Sequence, residues 1–130
     1  MTDPTKPYEL TFEKRQNYLY ARITADETNV PTSVEYWQAI IDKCRELKVK
    51  RFLVEQVIPI ALSSTDTFML ATEIAAMQPD DIKIAFTDAF EQHYDQNKFG
   101  ELAAGNRGVL YKFFTTVPEA EDWLLQPTSH

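Results

Sequence analysis

The sequence predicts a single α/β domain with a mixed sheet, an N-terminal β-hairpin followed by alternating strands and helices in the order β-β-α-β-α-β-α-β-α. Three observations carry this. Two alternating segments, 8–13 and 18–24, flank the short polar stretch Lys14-Arg15-Gln16-Asn17, as in an antiparallel hairpin. Beyond them, short apolar runs alternate with segments of helical period, which implies right-handed crossovers onto a common sheet. Finally, 130 residues, 44% of them apolar, suit one domain that buries roughly two-thirds of its unfolded surface.

Residues 1–7 are polar and carry two prolines, so a disordered arm is expected there, with the domain over 8–125 and a tail over 126–130. In the hairpin, Tyr8, Leu10 and Phe12 share one face, and Leu19, Ala21 and Ile23 alternate with Tyr18, Tyr20 and Arg22. After the loop 25–31, Thr32-Ser33-Val34-Glu35 has the spacing of a capping box. Val34, Trp37, Ile40, Ile41, Cys44 and Leu47 then recur at helical period, which predicts an amphipathic helix over 33–48.

The segment 51–59 is an apolar run interrupted by Glu55 and Gln56 and stopped by Pro59, and it reads as the central strand. Helix 65–77 follows, with Phe68, Leu70, Ala71, Ile74, Ala75 and Met77 on one arc. Ser64 or Thr65 is expected to cap it. Its other side carries Met69, Thr72, Glu73 and Ala76, which is poor in charge for a solvated face. Pro79-Asp80-Asp81 ends this helix, and 82–87 is the next strand. Residues 88–104 are read as a helix with Phe90, Tyr94, Phe99 and Leu102 inward, followed by a turn at Gly105-Asn106-Arg107-Gly108. The strand 109–115 leads to a last helix from Thr116, with Pro118 in its first turn and Glu119 completing a capping box.

A net charge of −7 argues against a nucleic-acid partner and against acidic membrane surfaces. No apolar stretch approaches the ~20 residues of a membrane span, and no leader is evident, so no membrane insertion and a cytoplasmic setting are expected. The single cysteine, Cys44, lies on the apolar stripe of its helix and reads as a buried hydrophobe rather than as half of a nucleophilic pair with His93. There is no phosphate-binding glycine loop, no nucleophile elbow and no metal-ligand spacing, so no cofactor, no metal and no catalytic residue are assigned. Glu55, if buried, needs a partner, and Lys83 or the helix start at 64–66 could supply it.

The element order, the strand Phe52-Leu53-Val54-Glu55, the Ser/Thr-rich start of an apolar helix, and the ending Val-Leu-Tyr-Lys-Phe-Phe then Glu119-Ala120-x-x-Trp123-Leu124 together resemble the STAS-like (SpoIIAA-like) domains, in particular small stand-alone bacterial members. The resemblance covers roughly 8–125. It implies a regulatory or binding domain rather than an enzyme, and the charge-poor outer face of helix 65–77 points to docking of a protein partner, or of a second copy as a homodimer. It also implies a phospho-acceptor at the start of the helix after the central strand, which falls on Ser63 or Ser64, with Thr65 beside them. From the residues themselves, Asp66, Met69, Thr72, Glu73 and Ala76 form the candidate interaction surface. The alternative is a carrier or sensor of a small apolar, lipid-like ligand held between the sheet and the late helices, by Phe86, Tyr94, Phe99 and Phe113.

Overall fold

The structure is a computed structural model and describes residues 6–127. Strands β1 (Glu9–Arg15), β2 (Tyr18–Thr24), β3 (Arg51–Val57), β4 (Lys83–Asp88) and β5 (Tyr111–Phe114) form one sheet in that spatial order. β1 pairs antiparallel with β2, and every later pairing is parallel. The hairpin turns through Asn17, whose φ of 69° is a left-handed conformation that asparagine tolerates. Helices α1 (Val30–Leu47), α2 (Ser64–Ala76), α3 (Tyr94–Gly105) and α4 (Val117–Leu125) complete the chain, with a short 310 turn over Glu91–His93 before α3. The element order and the mixed sheet are those the sequence predicts, with β3 at the centre.

Alternation along the strands divides the side chains between two unequal layers. Leu19, Ala21, Ile23, Phe52, Val54, Ile84, Phe86 and Phe113 pack with Tyr36, Trp37, Ile40, Ile41 and Cys44 of α1, Ala71 and Ile74 of α2, and Ala103 and Ala104 of α3. The opposite face holds a smaller cluster in which Tyr18, Leu53 and Ala85 meet Ala120 and Leu124 of α4. Three helices therefore cover one face, and the nine-residue α4 covers only part of the other.

Several helix starts differ from expectation for local reasons. α1 begins earlier, because Asn29 accepts a hydrogen bond from the Thr32 amide (2.9 Å) and Pro31 sits in the first turn. Ser33, expected in a capping box, is instead buried, and its hydroxyl lies 3.1 Å from that of Tyr36. β4 runs on to Asp88, so no single helix spans 88–104. The 310 turn rotates α3 relative to the expected face: Tyr94 is 47% and Leu102 60% exposed, Phe99 is also exposed, and His93 is buried instead. α4 starts where predicted, with the Thr116 hydroxyl accepting from the Glu119 amide (3.4 Å) and donating to the Glu119 carboxylate (2.8 Å). Of the expected arm and tail, residues 1–5 and 128–130 lie outside the described residues, while Lys6 pairs with Glu35 of α1.

The C-terminal end of α4 is held by the sheet itself. The Lys83 ammonium, on a residue only 5% exposed, donates to the carbonyls of Trp123 (2.6 Å) and Gln126 (3.0 Å) and lies 4.4 Å from the centre of the Trp123 ring. A cation at the carbonyl end of a helix satisfies orphan acceptors and meets the negative end of the dipole. Burial and the Arg51 guanidinium pull this ammonium below the ordinary lysine range, and the carbonyl contacts oppose that loss. Replacing it by Lys83→Met keeps the apolar stem and removes both charged hydrogen bonds. Urea unfolding is expected to show a loss of about 1.5–3 kcal/mol, with amide exchange accelerated most in α4.

Candidate functional site

At the carboxyl ends of the parallel strands, consecutive residues diverge. Glu55 points to the α4 face, where the Tyr20 hydroxyl donates to its carboxylate and the Arg22 guanidinium lies 3.5 Å away. Lys83, expected as its partner, pairs in register with Arg51 at the other end of the strand. The helix start at 64–66 belongs to the opposite layer, since α2 packs with the α1–α3 face. Burial and the carboxylate push the Tyr20 hydroxyl up to about 12, so it stays a donor at neutral pH. Gln56 points to the α1–α3 face, and the Tyr36 hydroxyl contacts its side-chain oxygen at 3.4 Å.

Next to Gln56 in the sheet register stands Asp88, the last residue of β4. Its carboxylate accepts from the Phe90 amide (2.9 Å), from Asn97 Nδ2 (3.0 Å) and from His93 Nδ1 (3.0 Å). His93 Nε2 lies 3.1 Å from the Pro59 carbonyl, which can only accept, so that nitrogen carries a proton. Both side chains are nearly sealed, at 2% exposure for Asp88 and 6% for His93. This cluster ties the end of β4, the 310 turn, α3 and the loop after β3 into one unit.

Beside it lies a half-enclosed cavity of about 80 Å³, bounded by α1, α2, α3 and the loop through Ile60, Ala61 and Leu62. Trp37, Phe86 and Tyr111 line it as a ring series, Trp37 to Phe86 at 6.2 Å and Phe86 to Tyr111 at 5.9 Å, each pair inclined by 25°. Of the four aromatics expected around an apolar pocket, only Phe86 lines this one. Tyr94 and Phe99 are exposed on α3, and Phe113 packs in the core with Tyr94 edge-on at 5.8 Å.

The cap of α2 falls one residue before the expected Ser64 or Thr65. The Ser63 hydroxyl accepts from the Asp66 amide at 3.1 Å, and Ser64 and Thr65 are exposed in the first turn. On the outer side Met69, Thr72, Glu73 and Ala76 are exposed, while Asp66 is half-buried. Phe68, expected inward, is 47% exposed; the Arg107 guanidinium carbon lies 4.3 Å from its ring centre, and Arg107 Nε donates to Thr72 Oγ1 at 3.0 Å. Ile60, Phe68 and Met69 thus stand as exposed apolar side chains on either side of the polar first turn of α2.

Sequence reasoning missed Asp88, Asn97 and Tyr111 as site residues. The available signal was Asp88 two residues before an amide it can cap, and Val109–Phe114 rich in aromatics at a strand end. Cys44 is fully buried in the larger core and makes no contact with His93. Among the described residues no group of three or more His, Cys, Asp or Glu is placed to hold a metal ion, and no helix is long and apolar enough to cross a membrane.

No family model matches the sequence, and no curated protein matches it. A solved structure does: the crystal structure of an anti-sigma factor antagonist from Mycobacterium paratuberculosis matches with a TM-score of 0.64 at 8% identity, over 97% of this chain and 100% of that one. The likeness is one of fold, and the chain has the STAS-like fold that its sequence resembles.

Two outcomes follow from this geometry. Asp88→Ala leaves His93 and Asn97 buried without their acceptor, and a loss of about 3–5 kcal/mol is expected in chemical denaturation, with faster amide exchange in the 310 turn and the loop after β3. Burial pushes the Cys44 thiol up to about 12. A group whose folded pKa lies above its unfolded value stabilises the fold below the unfolded pKa, and that contribution is lost as pH rises towards the folded pKa. Iodoacetamide should therefore leave native Cys44 unmodified at pH 8 and alkylate it after unfolding, as read by intact mass.

Proposed function

We propose that this domain is a non-catalytic, regulatory protein-interaction module that docks a partner protein through the loop after β3 and the outer face of α2. The observation that carries the reading is the exposed apolar set Ile60, Phe68 and Met69, followed along α2 by the exposed small residues Thr72 and Ala76. A solvated helix face ordinarily presents long charged side chains, and this one has only Glu73 beyond the first turn. The fold is shared with a protein described as an antagonist of an anti-sigma factor, which is a protein acting on another protein. A cytoplasmic setting belongs to the same reading.

Ser63 and Ser64 are the candidate phospho-acceptors of this module. A phosphate there would bring about −1.5 to −2 charges to the positive end of α2, where Asp66 already stands. The lipid-carrier alternative lacks support at its expected place, because Tyr94 and Phe99 face outward.

The decisive experiment places Lys at the centre of the face. Met69→Lys should leave the melting temperature within a degree or two, since the residue is 49% exposed. Binding to a partner recovered with the wild-type domain, and then purified, should weaken at least tenfold, about 1.4 kcal/mol. Equal affinity of the two forms, or sedimentation as an unaccompanied monomer with no partner recovered, would remove the reading's support.

A further inference from the structure

The cavity beside the Asp88–His93 pair is built differently from a packing defect. Its floor is the ring series Trp37, Phe86 and Tyr111, with nearly parallel neighbours. Its walls carry polar atoms left over after every internal hydrogen bond has been made. The Tyr111 hydroxyl has no hydrogen-bond partner among the described residues, although the side chain is largely desolvated. Asn97 commits its amide nitrogen to Asp88, which can only accept, and so keeps its carbonyl oxygen unused. Gln96 likewise donates its amide nitrogen to Thr67 Oγ1 (2.8 Å), leaving its carbonyl, and Gln56 accepts from Tyr36, leaving its NH₂. No buried side-chain polar atom is unsatisfied among the described residues, so these leftover groups remain reachable from outside.

The electrostatics restrict what could enter. Among the described residues, the only acidic or basic side chains on the lining are Asp88 and His93, and they bond to each other at 3.0 Å. A charged ligand would give up its hydration and find no uncommitted counter-charge. A purely apolar ligand would cover Tyr111, Asn97 and Gln96 without satisfying them. The enclosed space, about 80 Å³, is smaller than the ~150 Å³ of an apolar cavity that takes in benzene. A ring would therefore sit with one edge in the mouth beneath Ile60–Leu62.

We infer that this cavity is a binding site for a small, flat, uncharged ligand that carries an amide-type donor–acceptor edge on an aromatic or heteroaromatic ring. The ring lies against Trp37, Phe86 and Tyr111. Its NH groups meet the carbonyl oxygens of Asn97 or Gln96, and its carbonyl meets the Tyr111 hydroxyl or the Gln56 amide. The site lies on the inner side of α2, behind the docking face, and the inference does not depend on that face having a partner.

Benzamide is the probe, with toluene and benzoate as controls that keep the ring and remove, respectively, the polar edge and the neutrality. Titration of the full chain, followed by amide and side-chain chemical shifts, is expected to give saturable benzamide binding with a dissociation constant at or below about 1 mM. Shifts should centre on Gln96, Asn97 and Tyr111, with cross-relaxation from the benzamide ring to Phe86. Benzoate should bind at least tenfold more weakly. Tyr111→Phe removes a hydroxyl that has no internal partner, so the fold should be retained. It should weaken benzamide at least threefold and leave the weaker toluene binding unchanged. No saturation by 10 mM benzamide, shifts centred elsewhere, benzoate equal to benzamide, or an unaltered benzamide affinity in Tyr111→Phe would each overturn the assignment.

Discussion

At the carboxyl ends of the parallel strands the structure depends on one carboxylate. Asp88 ends β4 and receives three donors, one from the backbone two residues later and two from side chains five and nine residues later. A buried carboxylate is tolerated only when its lone pairs are satisfied, and this one is satisfied by the residues that must change direction after the strand. The strand consequently passes into a 310 turn rather than continuing straight into a long helix. The Phe90 amide is taken by Asp88, and His93 is drawn inward to bridge to Pro59. The same bridge fixes the loop after β3, and through it the approach to α2. One buried hydrogen-bonded pair, Asp88 and His93, thus borders the cavity and holds the loop beside it.

At the other end of β4 the constraint has opposite sign. Lys83 is a buried cation whose acceptors are carbonyls at the end of α4. α4 is too short to hold itself by propensity alone, since isolated helices of under about 12 residues are marginal. Its attachment rests on Ala120 and Leu124 against Leu53 and Ala85, and on this lysine. The division of labour follows from coverage. The face under α1–α3 carries the larger core and holds the half-enclosed cavity. On the face under α4, the uncovered part is polar, with Tyr20, Arg22 and Glu55 in mutual contact and Arg15 over the Tyr20 ring at 3.9 Å.

What the sequence disclosed and what it withheld separate along physical lines. Strand alternation and the stripe of α1 are repeated signals, spread over many residues, and they determined the element order and the central place of β3 correctly. Caps are single-residue signals, and Thr32-Ser33-Val34-Glu35 and Ser63-Ser64-Thr65 each offered several hydroxyls for one N–H. Asn29 and Ser63 won because their own backbones are extended, with φ −143° and −64° and ψ near 170°. The orientation of α3 was not legible, because it depends on how far the 310 turn rotates the chain. His93, just before α3, is held by Asp88 and by Pro59, and Pro59 lies 34 residues earlier in the chain, out of reach of any local pattern. For the same reason Tyr94 and Phe99 were read as cavity walls and stand outside, while Tyr111, the first residue of its strand, reaches inward.

Phe68 shows how the two candidate surfaces relate. Helical period assigns it to the inner arc with Leu70, Ala71 and Ile74, yet it is 47% exposed beside the outer residue Met69. The two helices do meet there: a Cβ on Gly100 would stand at ordinary contact, 3.4 Å, from Thr67 Cγ2, and Gln96 bonds Thr67 one turn earlier. With α3 this near, Arg107 covers one side of the Phe68 ring and binds Thr72. Part of an otherwise bare apolar face is thereby shielded by a cation that can swing away on its flexible stem. On the inner side of α2, Thr67, Gln96 and Gly100 line the cavity, so the α2–α3 contact forms one of its walls. The two sides of α2 are therefore linked through α3 and the turn after it, which supply Gln96 to the inner side and Arg107 to the outer.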